Sequence, residues 1–263
     1  MPALASAALG TATATVVVSY AVLGYSALAA LANVAGALVL TTRASWSRRS
    51  LEFLIALSAG FLVAVSLGEL VPEAVATGIA SGGASGGAAA GWWMLGGFVL
   101  VHLTQHAVVG HFHFGEETHT VAPEVGVSAL VGLMLHTFVD GVAIATSFAV
   151  NERMGFLVLG AIALHKLPEG LAIASLFVAT GRSVRAAIGA AAALGAATVI
   201  GAALASPVAL IANHGLALSA GVTLYVGGSN LIPEFQGKKG WSHNAWFFGG
   251  VAAYAAIAAL IPR

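Results

Sequence analysis

The sequence reads Leu-His-Thr-Phe-Val-Asp-Gly at residues 135–141 and Leu-His-Lys-Leu-Pro-Glu-Gly at residues 164–170. Each stretch is a polar cluster in the middle of a long apolar run, and each follows one pattern: histidine, three residues, carboxylate, glycine. On a helix, positions i and i+4 lie on the same face, so each run would present an imidazole beside a carboxylate. Polar pairs at these positions require an explanation, because the surrounding runs are apolar enough to lie in a membrane.

The two pairs are His136 with Asp140 and His165 with Glu169. Brought together, they offer two imidazoles and two carboxylates, a plausible ligand set for a divalent metal ion. An ionisable residue deep in a membrane helix costs at least about 2.5–3.5 kcal/mol, so such residues indicate a function. The alternative is a buried ion pair, Lys166 with Asp140 or Glu169, that only holds helices together. Because such a pair would not explain two histidines at matched spacing, we favour a metal site.

The composition indicates an integral membrane protein. Of the 263 residues, 59% are hydrophobic and 8% are charged, whereas soluble domains average about 25% charged residues. Basic and acidic residues number 10 each, so net charge gives no reason to expect a nucleic-acid partner; the expected partners are the lipid bilayer and a metal ion. The absence of cysteine excludes disulfides, thiolate ligands and cysteine nucleophiles. No basic region or cleavage site typical of a signal peptide is seen at the N-terminus.

Apolar runs of the length that crosses a bilayer, about 20 residues, predict an all-α protein. They indicate a single transmembrane domain over residues 1–263, with Ala and Gly in the runs favouring close helix packing. Turn and charge signals separate eight predicted helices. These helices cover about residues 16–41, 51–78, 91–110, 125–150, 155–179, 184–211, 216–234 and 243–261.

Basic residues in short loops predict the orientation, because they favour the cytoplasmic side of a membrane. On one side the loops hold only Arg153 and Arg263. On the other side the loops hold Arg43, Arg48, Arg49, Arg182, Arg185, Lys238 and Lys239. The second side is therefore expected to be cytoplasmic, with both termini extracytoplasmic.

The loop expected at residues 111–123 lies on the cytoplasmic side and contains His111, His113 and His119 together with two glutamates. A cluster of histidine and glutamate can collect or sense divalent ions. The same residues would also suit a solvated linker, and the sequence does not decide between the two.

Two further helices carry similar Pro-Glu stretches at residues 68–73 and 229–234. The second and seventh helices would run in opposite directions, as would the fourth and fifth. Motifs repeated in opposite orientation indicate inverted-topology repeats, which in secondary transporters often surround a site near the midplane. Within the second histidine motif, Pro168 lacks the N–H that would bond to the carbonyl of Leu164. Backbone exposed in this way is tolerated where it lines a cavity or site.

The pattern resembles the ZIP (Zrt/Irt-like) family of divalent metal transporters over nearly the whole chain. Residues 136–141 resemble the fourth-helix signature of that family, His-Asn-x-x-Asp-Gly or His-Asn-x-Pro-Glu-Gly. Residues 165–170 resemble its fifth-helix signature, His-Glu-x-Pro-His/Glu. The resemblance implies eight helices in a 3+2+3 arrangement with inverted repeats, and extracytoplasmic termini. The primary transport ligands that it implies are His136, Asp140, His165 and Glu169.

The resemblance also implies residues along the transport path. Glu69 and Glu73 lie in a second-helix segment that ends in the Pro-Glu-Ala usual for the family. Through the internal repeat, Asn230 and Glu234 are expected to line the path as well.

Two positions depart from the family pattern. Thr137 stands where the family often has Asn, and Lys166 stands where it often has an acidic residue. In relatives with two adjacent metals these positions help to build the second site, where a fixed ammonium would repel a cation. We therefore expect a single-metal site, with Lys166 in the place of the second ion and paired with Asp140 or Glu169.

These observations predict a transporter, not an enzyme, that moves divalent ions into the cytoplasm by alternating access; the resemblance supplies the direction. Zn²⁺ is the expected substrate, and Cd²⁺, Fe²⁺ and Mn²⁺ accept the same ligands. We expect no resident cofactor, a bacterial inner-membrane location, and a homodimer as one form of assembly.

Two other functions remain open. A proton- or ion-conducting channel could use the same string of histidines and carboxylates as a relay without binding metal. An intramembrane metal hydrolase would need a general base beside an open metal position. Lys166 occupies the place of that base in a His-Glu-x-x-His pattern, which speaks against hydrolysis.

Overall fold

The computed structural model describes residues 19–41, 48–107 and 123–260, and every regular element in these ranges is helical. The predicted all-α class is thereby confirmed for this part of the chain. The loop histidines His111, His113 and His119 lie outside the described residues. The helices are α1 Tyr20–Thr41, α2 Arg48–Val65, α3 Val71–Ala107, α4 Pro123–Val150, α5 Glu152–Ala179, α6 Val184–Leu204, α7 Ala209–Tyr225 and α8 Ser242–Leu260. The π-helical turns Ser66–Leu70 and Val226–Leu231 follow α2 and α7.

Six helical segments in the described ranges are long and apolar enough to cross a membrane. They are Tyr20–Val39, Arg49–Gln105, Gly126–Val150, Glu152–Ala179, Val184–Leu204 and Ala209–Leu231. The second segment is 57 residues long and is interrupted at Gly83, whose φ of 60° is outside the right-handed helical region. A Cβ atom on Gly86 would collide with the carbonyl of Gly78, although a straight helix would separate these residues by about 12 Å. The segment therefore folds back on itself as two arms.

The boundary between α6 and α7 differs from the expected one. The expected break lay at Asn213–Gly215, whereas the structure has it at residues 205–208. Pro207 accounts for the difference, because it has no N–H with which to continue a helix. Gly215 instead lies inside α7, where a Cβ atom would press against Val142 of α4. This glycine serves helix packing and does not end a helix.

The helices form two groups. In the first, which we call the motif bundle, α1 packs on α5 and α6, and α4 packs on α5 and α6. In the second, the outer bundle, α2 packs on α8 and α3 packs on α7. The groups meet mainly where α7 contacts α4 and where α2 contacts α5. Both histidine motifs lie in the motif bundle.

Four helix pairs in the described part of the chain cross through reciprocal glycines. A Cβ atom on any of these glycines would collide with a carbonyl oxygen of the facing helix, so the backbones touch directly. The pairs are Gly36 with Gly170 between α1 and α5, Gly141 with Gly201 between α4 and α6, Gly60 with Gly250 between α2 and α8, and Gly97 with Gly221 between α3 and α7. Since Gly141 and Gly170 end the two histidine motifs, a neighbouring helix lies directly beside each motif carboxylate.

The similarity between the stretches ending at Pro72-Glu73 and Pro233-Glu234 extends to the backbone. Each proline follows a π-helical turn, in which the residue before the proline donates its N–H to the carbonyl five residues back. A proline in a helix pushes against the carbonyl four residues before it, and a wider turn relieves that clash. The two stretches thus have a matching local geometry.

Candidate metal site

Four side chains from α4 and α5 converge inside the motif bundle. They are His136, Asp140, His165 and Glu169, and one ligand atom from each lies within 4.8 Å of all the others. Each of the four is at most 9% exposed. Ligand atoms around a tetrahedral Zn²⁺, at about 2.0–2.1 Å from the ion, are roughly 3.4 Å apart. Small side-chain movements would therefore close the group around one ion.

Each histidine faces the carboxylate of the other helix. Nε2 of His136 lies 3.3 Å from Oε1 of Glu169, and Nε2 of His165 lies 3.3 Å from Oδ2 of Asp140. Nδ1 of His165 is 3.1 Å from the carbonyl oxygen of Ala161, and a proton on Nδ1 would be donated there. Nε2 and the facing carboxylate oxygen are then both acceptors, so a second proton or a cation must lie between them.

Lys166 is fully buried and contacts both carboxylates of the site. Its Nζ lies 2.8 Å from Oδ2 of Asp140 and 3.2 Å from Oε2 of Glu169. The ammonium does not contact every polar atom of the group: Oε1 of Glu169 faces Nε2 of His136 at 3.3 Å, and within the described residues Nδ1 of His136 has no hydrogen-bond partner. The buried ion pair and the histidine–carboxylate group are thus parts of one site, and the ammonium does not occupy every ligand atom.

The other position that departs from the family pattern, Thr137, does not join this network. Its hydroxyl donates back into α4, where the carbonyls of Leu133 and Met134 lie at 2.9 Å and 3.0 Å. Thr137 is fully buried all the same, so it fills space in α4 next to His136, with its hydroxyl proton directed into its own helix.

Because Pro168 has no N–H, the carbonyl of Leu164 is left without its partner in α5 and forms a contact with another helix. The hydroxyl oxygen of Ser58, on α2, lies 3.1 Å from the carbonyl oxygen of Leu164 and 2.7 Å from that of Leu54. The carbonyl released by the proline thus shares the single hydroxyl proton of Ser58, on another helix, with the carbonyl of Leu54. Ser58 was not expected from the sequence, because a serine in an apolar run carries no sign of its partner.

The expected path residues lie apart from this group. Glu69, Glu73, Asn230 and Glu234 are all partly buried, and the three glutamates are not among the converging ligands. Glu73 accepts a long hydrogen bond from the Thr77 hydroxyl at 3.5 Å. The role of these four residues on a transport path stays a prediction.

Glu69 takes part in an ion pair that the sequence did not predict. Its Oε1 lies 2.7 Å from Nη1 of Arg153, at the start of α5, and accepts a hydrogen bond from the Tyr254 hydroxyl at 3.2 Å. Arg153 also donates through Nη2 to the carbonyl of Ala258 at 3.1 Å. From the sequence, Arg153 served only to indicate orientation; in the structure it joins the motif bundle to the outer bundle.

The site lies between two apolar clusters of the motif bundle. Val139 of α4 and Ile162 of α5 belong to the first cluster, and Ala129 of α4 and Ile173 of α5 belong to the second. Water is therefore excluded above and below the polar groups, which strengthens every electrostatic interaction between them.

A family model described as ZIP zinc transporter matches residues 124–258, just over half of the chain. The matched region begins in α4, ends in α8, and includes both histidine motifs. None of the curated proteins matches the chain. The family match, together with the apolar helices, makes the chain an integral membrane protein whose relatives transport metal ions. The chain belongs to the ZIP zinc transporter family.

Proposed function

We propose that the protein moves divalent transition-metal ions, above all Zn²⁺, into the cytoplasm through the group of His136, Asp140, His165 and Glu169. The observation that carries the proposal is the convergence of their four ligand atoms within 4.8 Å of one another inside membrane-crossing helices. Two imidazoles and two carboxylates without a thiolate suit Zn²⁺, and also Cd²⁺, Fe²⁺ and Mn²⁺. The ion is cargo, and we propose no resident cofactor.

The charge of Lys166 supports one ion per site. With neutral histidines, the formal charge of the empty site is −1, from two carboxylates and one ammonium. One divalent ion raises this to +1, and a second would raise it to +3 in a region from which water is excluded. Repulsion of that kind is weakly screened in a protein interior, so Lys166 takes the place of a second ion.

Lys166 also suits the return of the empty carrier. Asp140 shares its Oδ2 between the lysine and His165, so an arriving ion replaces part of the contact with the ammonium. When the ion leaves, the ammonium again neutralises the carboxylates. The empty site then crosses the membrane with a formal charge of −1 instead of the −2 of two bare carboxylates, and a charge is costly there.

The pairing of helices supports eight crossings in a 3+2+3 arrangement of inverted repeats. The two arms of Arg49–Gln105 count as two crossings, and α8 adds one to those of the other apolar segments. An inverted repeat would relate α1 to α6, α2 to α7, α3 to α8 and α4 to α5. Under this exchange, each helix pair that crosses through glycines becomes another such pair; the pair α1–α5, for example, becomes α6–α4. In this arrangement the motif bundle moves relative to the outer bundle, which gives alternating access.

Two charged groups support the orientation with extracytoplasmic termini. Glu52, near the start of α2, pairs with Lys238 and lies 3.1 Å from Nε2 of His243, all near loops rich in basic residues. Glu69, farther along the same polypeptide, pairs with Arg153 of the opposite loop. The residues that pair with Glu52 all belong to the side predicted to be cytoplasmic, and the residue that pairs with Glu69 belongs to the opposite side. The location we propose is a bacterial inner membrane, with a homodimer to be tested by cross-linking.

Uptake into proteoliposomes tests the proposal. Zn²⁺ is added outside, a fluorescent indicator is enclosed, and the wild type is compared with His165→Ala and Glu169→Ala. We expect saturable uptake that both substitutions abolish. His214→Ala is the control, because this histidine stacks on Trp93 away from the site and its loss should leave uptake intact. Normal uptake by folded site variants would contradict the proposal, and a metal-independent proton flux lost in the same variants would favour a channel.

A further inference from the structure

Asn33 of α1 carries a fully buried side-chain amide. Its exposed fraction is 0%, and within the described residues neither Oδ1 nor Nδ2 has a hydrogen-bond partner. An amide buried without hydrogen bonds costs from about 1 to several kcal/mol, and such groups are rare in folded proteins. Alanine or leucine would fill this position without that cost, so packing alone does not explain the asparagine.

The position of Asn33 along α1 matches the level of the metal site. Ala29 belongs to the apolar cluster on one side of the site and Ala37 to the cluster on the other side. Asn33 lies about one helical turn from each. On α5, Lys166 likewise lies between Ile162 and Ile173 of the same two clusters. Asn33 therefore belongs to the polar layer that separates the clusters.

Contact with α5 places the backbone of Asn33 next to the end of the second histidine motif. A Cβ atom on Gly170 would collide with the backbone of Asn33, and Gly170 directly follows Glu169. The helix that carries Asn33 packs on α5 and α6 and also touches α4. A side chain on α1 that is fully buried among these helices shares the interior that encloses the site.

The threonine hydroxyls of this layer already have hydrogen-bond acceptors within their own helices, so they do not require the Asn33 amide as a partner. Thr137 donates to the carbonyl of Leu133, and Thr198 of α6 donates to that of Leu194 at 3.4 Å. Among the described residues of this layer, the Asn33 amide and Nδ1 of His136 have no hydrogen-bond partner, and Oε1 of Glu169 has its 3.3 Å contact with Nε2 of His136. His136 and Glu169 belong to the proposed transport site, and a bound cation with its coordinated water is the partner that this layer lacks.

We infer that Asn33 is part of the cation site, where its Oδ1 contacts the coordination shell of the bound ion. This inference rests on the proposed transport of a divalent ion. It adds a third helix, α1, to a site otherwise built by α4 and α5. A neutral carboxamide oxygen is a ligand that divalent cations accept, and it adds no charge to a site that already holds two carboxylates and an ammonium.

Binding of Co²⁺ to the purified full-length protein tests this inference, because the visible absorption of Co²⁺ reports its coordination. We expect Asn33→Ala to weaken Co²⁺ binding about 10- to 100-fold, as loss of a supporting polar contact does at other metal sites, and to change the absorption spectrum. Ser26→Ala is the matched control. Ser26 lies on the same helix and is equally buried, but its hydroxyl donates to the carbonyl of Val22 at 2.9 Å.

Thermal unfolding of the metal-free protein gives a second readout. Asn33→Leu replaces the unpaired amide with an apolar side chain of the same branching and the same number of heavy atoms, so the metal-free variant should unfold at the wild-type temperature or above it, while the stabilisation by added Zn²⁺ shrinks. A marked loss of stability in the metal-free Asn33→Leu variant would show a structural role and overturn the inference. Wild-type affinity and an unchanged Co²⁺ spectrum in Asn33→Ala would also overturn it. Failure of the wild type to bind Co²⁺ or Zn²⁺ would overturn the proposed function itself.

Discussion

Lys166 places an ammonium group, with no exposure to solvent, between the two carboxylates of the site. A lysine alone at this depth would be expensive, and here its charge is compensated by Asp140 and Glu169. In the proposed function, the same contacts make it a competitor of the metal ion for Asp140. We therefore expect the number of bound ions to depend on Lys166.

Lys166→Asp should raise the metal stoichiometry from one to two ions per chain. The substitution replaces the repelling ammonium with a third carboxylate between Asp140 and Glu169, which gives a second cation both charge and ligand oxygens. Zn²⁺ bound to the purified protein would be counted by equilibrium dialysis and elemental analysis. Lys239→Asp is the control, because Lys239 is exposed and its charge reversal should leave one ion. A single ion in folded Lys166→Asp would contradict the role assigned to this lysine.

Ser58 provides the donor for the carbonyl that Pro168 releases on α5. Ser58→Ala should lower the free energy of unfolding by about 1–3 kcal/mol, since a buried acceptor loses its hydroxyl partner. Unfolding in lipid bicelles would measure the difference. Ser66→Ala is a suitable comparison, because Ser66 is equally buried in the same segment but bonds only within it, to the carbonyl of Leu62 at 2.8 Å. Equal losses in both variants would argue against the α2–α5 bond.

Features of the helices that depend on the local sequence pattern could be predicted. Features that depend on which helix packs against them were harder to predict. The i,i+4 spacing was enough to indicate that His136 and Asp140 share a face, and the four ligands do converge. The break after α6 was misplaced because Gly215 resembles a turn residue, although in a membrane bundle glycine serves close packing. Ser58 and Asn33 gave no signal, since their significance depends on which helices lie beside them.

Replacing glycine with alanine should have a large effect where two helices cross through glycines and little effect at an open position. Gly170→Ala would force α1 and α5 apart at the site carboxylate, because its Cβ atom collides with backbone that cannot move aside. Overpacking of this kind costs about 1–3 kcal/mol, and we expect weakened Zn²⁺ binding and lost uptake. Gly189→Ala in α6 is the control, because its Cβ atom would meet open space. Wild-type uptake by Gly170→Ala would show that the close crossing is not needed.

The whole molecule consists of two bundles, and the alternating access that we propose requires them to move relative to each other. Arg153, at the start of α5 in the motif bundle, reaches Glu69 at 2.7 Å and the carbonyl of Ala258 at 3.1 Å, both in the outer bundle. Contacts this short cannot survive a displacement of one bundle by several ångströms. The pair of Arg153 with Glu69 is therefore a link that must open when the bundles move, whereas Glu52 and Lys238 join parts of the outer bundle.

Joining positions 69 and 153 covalently should stop transport without removing the metal site. The chain has no cysteine, so the double variant Glu69→Cys/Arg153→Cys can be bridged selectively with a short bis-methanethiosulfonate reagent. We expect the bridged protein to bind Zn²⁺ normally, because both positions lie outside the converging ligands, but to show no uptake into proteoliposomes. A reducing agent cleaves the bridge and should return uptake to the level of the unbridged double variant.

The matched control is Glu52→Cys/Lys238→Cys, which bridges an ion pair inside the outer bundle. Its two positions keep their separation if the outer bundle moves as one body, so the bridge should leave uptake near the unbridged level. Uptake that persists when positions 69 and 153 are bridged would show that α5 does not leave the outer bundle during transport. Loss of uptake in both bridged variants would mean that the outer bundle itself must deform. The contrast between the two bridges therefore tests which part of the molecule moves, independently of which ion it carries.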